Sequence, residues 1–232
     1  MKGKYVIVFD LDDTLYKEID FLKSAYYNIS TFLVNELKVK STVKDINNDL
    51  LAWYHSGENA FEKVIDKYQI LSLTTKDLVA RYREHKPIIE LTSATISILD
   101  FLKRNDIEMA LITDGRSVQQ RAKIEALGLN AYLSVIAISE EIGSEKPNEK
   151  NYRFVENNAK ESDSTYVYVG DNLKKDFVTP NKLGWKTVLL KDIDRVNIHS
   201  QDLVVDQKYK ATYEINSISE LKDLLTYSVM SI

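Results

Sequence analysis

Tyr5-Val6-Ile7-Val8-Phe9-Asp10-Leu11-Asp12-Asp13-Thr14 is the stretch that decides the fold. Its first five residues are apolar and mostly β-branched, without polar alternation, which is the pattern of a strand buried on both faces of a parallel sheet. The run then breaks into Asp10, Asp12 and Asp13. Carboxylates crowded together repel one another and resist burial unless a cation or a reaction needs them. In α/β sheets, ligands bind just beyond the carboxyl ends of the strands. The stretch therefore predicts a sheet strand that delivers acids to a site, although on its own it also fits a surface turn.

Working outward, two periodicities divide the chain. From Ile19 to about His85 the pattern is helical, with stripes at Leu22, Tyr26, Ile29, Leu33 and Leu37, at Val43, Ile46 and Leu50, at Phe61, Val64 and Tyr68, and at Leu78 and Tyr82. Polar breaks near Lys40, Gly57 and Ser72 separate them, as in a small antiparallel bundle. After Pro87 the period alternates. Glu108–Thr113, Val135–Ser139, Thr165–Gly170 and Lys186–Leu190 read as strands, with helices expected near 94–105, 117–127, 148–159 and 175–183. Ser117 with Gln120, and Ser217 with Glu220, read as capping boxes, and Gly128 as a left-handed helix end. The expected fold is α/β: a Rossmann-like parallel sheet core with an inserted helical bundle. The polar stretch 193–210 shows neither period.

Composition narrows the class. A chain of 232 residues can bury a substantial core. Its net charge of −4 carries no basic excess, which argues against a nucleic-acid surface. There is no cysteine, so disulfides, thiol nucleophiles and thiolate metal sites are excluded. No apolar run approaches the roughly 20 residues of a membrane span, and the first is too short for a signal-peptide core. The expected setting is the cytoplasm, with the chain a monomer or homodimer.

Three further pieces sit at strand ends. Thr113-Asp114-Gly115-Arg116 offers a hydroxyl and turn N–H groups of the kind that hold phosphate. Gly143-Ser144-Glu145-Lys146-Pro147 places a lysine on a loop before a helix. Gly170-Asp171 brings a carboxylate to the end of another strand, with Asp176 five residues on. Acids from two strand ends can share one hard cation through oxygen ligands, which implies Mg²⁺, with Mn²⁺ as a substitute and zinc unsuitable. A nucleotide-binding module is disfavoured, since neither Gly-x-Gly-x-x-Gly nor Gly-x-x-x-x-Gly-Lys-Ser/Thr occurs.

In this order, Asp-x-Asp-x-Thr, Thr-Asp-Gly, Lys-Pro and Gly-Asp-x-x-x-x-Asp resemble the haloacid dehalogenase superfamily of hydrolases, over Tyr5 to Gly184. The helical block between the first two motifs resembles the subgroup with a helical cap. The resemblance implies a core of residues 1–15 and 88–232 and a cap of residues 16–87. It implies Asp10 as nucleophile, Asp12 as general acid and base, and Lys146 as the charge that offsets the transferring group. Thr113 and the N–H of Asp114 would cradle phosphate oxygens. Mg²⁺ would be held by Asp10, Asp171 and the backbone carbonyl of Asp12, with Asp176 orienting Lys146 or a metal-bound water and Thr14 fixing the first loop.

The expected reaction is hydrolysis of a small phosphate monoester through an aspartyl-phosphate. Dehalogenases of the family lack the second acid, because a halide leaves without a proton. A phosphomutase, a dehalogenase and a catalytically idle binding module are the alternatives. Tyr16 and Arg116 are candidate substrate contacts, as are Trp53 and Arg81 in the cap. There are three departures from the family pattern, one of them Glu149 in place of a proline common after Lys-Pro. Asp13 replaces a frequent glycine or asparagine, and Pro180 falls in the helix after the fourth motif, tolerable only near its first turn.

Overall fold

The structure is a computed structural model that describes residues 5–160, 163–202 and 204–229. It divides into two compact units, one of residues Met1–Glu18 with Glu90–Ile232 and one of Ile19–Ile89. These junctions fall a few residues beyond the expected ones at 15 and 87, so that Tyr16, Lys17 and Glu18 belong to the sheet unit.

The sheet unit is built on six parallel strands: β1 (Tyr5–Phe9), β2 (Glu108–Thr113), β3 (Val135–Ile138), β4 (Thr165–Gly170), β5 (Lys186–Leu190) and β6 (Tyr213–Ile215). Their order is β3-β2-β1-β4-β5-β6. The apolar run at the start of the chain thus occupies the middle of the sheet, paired with β2 on one side and β4 on the other. Val6, Ile7, Val8 and Phe9 are all at most 1% exposed, which explains why the run shows no alternation. The chain order reverses around β1, and at such a switch point α/β sheets bind their ligands beyond the strand ends.

One face of the sheet buries Val6, Val8, Ala110, Ile112 and Val167's neighbours Tyr166 and Tyr168 beneath Tyr152, Val155 and Phe177. Trp185 stacks on Tyr166 with centroids 4.7 Å apart. The helices of this unit are α5 (Ser93–Arg104), α6 (Ser117–Ala126), α7 (Ser139–Ile142), α8 (Glu149–Asn158), α9 (Val178–Lys182) and α10 (Leu221–Leu224). Pro180 stands in the first turn of α9, where its missing N–H costs no helical hydrogen bond. Gly128 adopts the expected left-handed conformation, at φ +66°.

Both capping-box expectations change. Ser117 is the first residue of α6 rather than its cap, and its N–H donates to Glu140 at 2.7 Å. A carboxylate from a neighbouring element does the capping, which releases Gln120 for the site. Ser217 caps a short 3₁₀ turn, Ile218–Glu220, that runs on into α10.

The helical unit contains α1 (Glu18–Asn35, whose first residue still belongs to the sheet unit), α2 (Val43–His55), α3 (Ala60–Lys67) and α4 (Thr75–Glu84). Thr42, Asn59 and Thr74 cap the last three, each accepting a backbone N–H three residues on. Such caps contribute about 1 kcal/mol apiece. Leu22, Tyr26, Ile29, Leu33, Ile46, Leu50, Val64 and Leu78 form the core, so each of the four stripes contributes to it. No helix among the described residues is long and apolar enough to cross a membrane.

Candidate active site

Every strand that carries a motif ends at the same edge, because all six run parallel. Asp10 leaves β1 with its N–H still donating to Val169 O of β4 at 2.9 Å, which places it beside the end of β4, where Asp171 emerges. Asp10, Asp171 and Asp176 are buried, and one carboxylate oxygen from each lies within 4.8 Å of the others. Lys146 enters from the loop before α8. Its ammonium donates to Asp10 Oδ1 at 2.5 Å, Asp176 Oδ1 at 2.8 Å and the Tyr168 hydroxyl at 3.2 Å.

This centre is short of positive charge. Burial pushes Asp10 up to about 7, with Lys146 pulling down and Asp176 pushing further up. Burial, then the neighbouring Asp10 and Asp176, push Asp171 up to about 9. Lys146 is held well above its ordinary value by Asp10 and Asp176, in spite of its burial. Three acids against one ammonium, offering only oxygen ligands, fit a hard divalent cation such as Mg²⁺. Asp176 already uses Oδ1 on Lys146 and Oδ2 on the Asn172 N–H at 2.8 Å, which makes it the anchor of the lysine. Gly170 at the end of β4 is required by this packing, since a Cβ there would overlap the Asp176 carboxyl group.

Asp12 has a different set of partners. Its Oδ1 accepts the Tyr16 hydroxyl at 2.5 Å and the Lys123 ammonium at 2.6 Å, and its Oδ2 accepts the Gln120 amide at 3.0 Å. Burial pushes its acidity one way, but the Lys123 charge and the three hydrogen bonds outweigh it and hold Asp12 below the usual carboxylate value. Gln120 also donates to Thr113 Oγ1 at 2.5 Å. Asp114 is a connector: its carboxylate accepts the Lys146 N–H at 2.9 Å and the Lys175 ammonium at 3.0 Å.

Asp13 explains its own departure from glycine. Its φ of +57° lies in the left-handed region, which aspartate tolerates better than most residues, and its two oxygens accept the N–H groups of Glu18 and Ile198, both at 2.9 Å.

Other expected site residues take different places. Tyr16 is 4% exposed and its hydroxyl donates to Asp12. The Arg116 side chain is 61% exposed and pairs with Glu140 at 2.6 Å. The Thr14 hydroxyl is buried without a hydrogen-bond partner among the described residues, and only its N–H reaches Leu11 O, at 3.4 Å. In the helical unit, Arg81 lies over the Phe32 ring and donates to Asn28, and Trp53 packs against the core.

Sequence reasoning missed Lys123, Gln120, Tyr168, Asn197 and Gln201. Asn197 donates to Asp171 Oδ2 at 2.9 Å, and Gln201 donates to Asp171 O at 2.8 Å, so the uninterpreted stretch after β5 braces the fourth motif. Only Gln120 left a signal, as half of the supposed capping box.

A family model described as haloacid dehalogenase-like hydrolase matches residues 7–190. The chain is 26% identical over 232 aligned positions to a glyceraldehyde 3-phosphate phosphatase of Methanocaldococcus jannaschii, covering 94% of this chain and 96% of that one. It is 30% identical to a ribulose-1,5-bisphosphate 5-phosphatase of Halopiger xanaduensis, over 55% of this chain and 54% of that one. Among solved structures, the magnesium-bound HAD-hydrolase YfnB of Bacillus subtilis superposes with a TM-score of 0.66 at 20% identity, covering 97% of this chain and 100% of that one.

Proposed function

The chain belongs to the haloacid dehalogenase-like hydrolases, and from that membership we propose that it is a Mg²⁺-dependent phosphatase of small phosphate monoesters, working through an aspartyl-phosphate on Asp10. The observation that carries this reading is a pair of acids two residues apart with separate partners, Asp10 on Lys146 and Asp12 on Lys123, Tyr16 and Gln120. Loss of a halide needs no second acid. An ester oxygen leaves more readily with a proton, and a positioned acid typically contributes 10²–10⁴ in rate.

Asp10 bonds to phosphorus as the ester oxygen departs with the proton of Asp12. Asp12 then takes a proton from water, whose oxygen displaces Asp10. Lys146, Thr113 and the N–H of Asp114 receive the phosphate oxygens, and Asp176 keeps Lys146 in place. Asp10, Asp171 and the backbone carbonyl of Asp12 would hold Mg²⁺, which would supply the positive charge that two approaching anions need. The helical unit is read as the cap, which distinguishes one ester from another.

A relative matched over nearly its whole length is named a glyceraldehyde 3-phosphate phosphatase, which supports a substrate of about that size. Phosphate release should be measured over triose and pentose phosphates, nucleotides and an aryl phosphate, with Mg²⁺ and with EDTA. The highest kcat/KM is expected on a triose phosphate, with activity lost on chelation. Turnover that persists in EDTA, or no turnover above that of Asp10→Asn on any ester, would refute the reading.

A further inference from the structure

Lys123 lies on α6, outside the four motifs, and is 1% exposed. Burying an ammonium is expensive unless opposite charge and hydrogen bonds meet it. Asp12 Oδ1 meets it at 2.6 Å, and Glu18 lies 3.9 Å away. The two oxygens of Asp12 are held unequally. Oδ1 has two close donors, Lys123 and the Tyr16 hydroxyl at 2.5 Å. Oδ2 accepts a neutral amide hydrogen from Gln120 at 3.0 Å, while Gln120 gives its other hydrogen to Thr113. A proton on Oδ1 would have to displace a charged donor, whereas one on Oδ2 displaces only the longer, neutral contact.

We propose that Lys123 is a positioning residue for acid–base chemistry at Asp12: together with Tyr16 it occupies Oδ1 and so assigns proton transfer to Oδ2. This rests on the reading of Asp12 as the general acid. In the first step a proton that the Asp12 carboxylate has taken from water onto Oδ2 passes to the ester oxygen as that O–H bond breaks. The bond from that oxygen to phosphorus breaks as the bond from Asp10 forms. The electron pair left on Asp12 becomes a carboxylate beside the Lys123 ammonium. In the second step water returns a proton to Oδ2 while its oxygen bonds to phosphorus and the bond from Asp10 breaks. Without Lys123 the carboxyl group is held by the neutral donors Tyr16 and Gln120, and the carboxylate formed on proton transfer loses its nearest counter-charge. The resulting loss of rate should grow with the leaving group's need for a proton.

The test is kcat/KM over aryl phosphates whose leaving groups run from dinitrophenol to phenol, because this ratio reports the half-reaction that expels them. Lys123→Met keeps the volume and removes the charge. The expected loss is about two-fold on dinitrophenyl phosphate and about 30-fold on phenyl phosphate, part of what a positioned acid supplies. Lys123→Arg, which keeps the charge, should show a shallower dependence than Lys123→Met. A uniform loss across the series, with the wild-type dependence on leaving group, overturns the proposal. Asp12→Asn is measured alongside. If its dependence is steep and that of Lys123→Met is not, the inference about Lys123 alone falls. If Asp12→Asn is not steep, the assignment of Asp12 as the acid falls with it. Should Lys123→Met fail to melt cooperatively, Lys123→Gln, which keeps a donor, decides by the same criterion.

Discussion

Asp10 and Asp12 leave the same strand two residues apart and end in opposite electrostatic states. Burial and neighbouring acids push Asp10 up to about 7, while the surroundings of Asp12 hold it below its ordinary value. The difference lies in the count of charges around each. Lys146 is shared between Asp10 and Asp176, with Asp171 close by, whereas Lys123 gives its short hydrogen bond to Asp12. Two aspartates on one loop can therefore take different roles because two different lysines, from distant parts of the chain, reach them. The Asp10 side calls for a cation, and the Asp12 side already contains one.

The sharpest way to break this comparison is to neutralise each aspartate. Asp10→Asn should lose roughly 10³-fold or more on every ester, whatever its leaving group. Asp12→Asn should lose on the order of 10² on poor leaving groups and far less on good ones. Steady-state kinetics on two aryl phosphates of different leaving-group acidity reads both. If the two variants gave the same pattern, the division of labour would be wrong.

A second measurement concerns the missing charge. Between the unfolded value near 4 and about 7 for Asp10, or about 9 for Asp171, the folded metal-free protein holds protons that the unfolded chain has released. The folded state then binds more protons, so stability falls as pH rises through that window. Glu18, pushed up to about 8 by burial and then by Asp12, adds to the same slope. Tm in EDTA should accordingly decline from about pH 5 to 9. Saturating Mg²⁺ should raise Tm and flatten most of the decline, since a metal that binds only the folded state stabilises it by mass action. A Tm that rises over this range in EDTA, or that ignores Mg²⁺ throughout, would contradict the charge deficit.

The smallest effect belongs to Arg116. Exposed ion pairs contribute little, about 0–1 kcal/mol, and its partner is Glu140 on the surface. Arg116→Ala should change kcat/KM by less than about three-fold on all esters. A selective loss on one substrate class would return it to the list of substrate contacts.

What the sequence determined by itself was the part encoded locally. A doubly buried strand has to be a continuous apolar run, so β1 was legible, and β2, β4 and β5 fall where their branched runs placed them. The helical stripes located α1 to α4 because one face of each must be apolar to form a core. The motif acids were legible because their order along parallel strands brings them to one edge. Only the tertiary structure could decide what each acid touches. Strand β6 has three residues and no pattern to announce it. Gln120 and Ser117 resembled a local cap until Glu140, some twenty residues away, supplied the cap and left Gln120 for Asp12. Lys123, Asn197 and Tyr168 look like ordinary surface or strand residues in one dimension. Their roles arise from contacts across 111, 26 and 22 positions of chain. Electrostatic state is a sum over neighbours in space, and those neighbours are assigned only when the sheet closes its order.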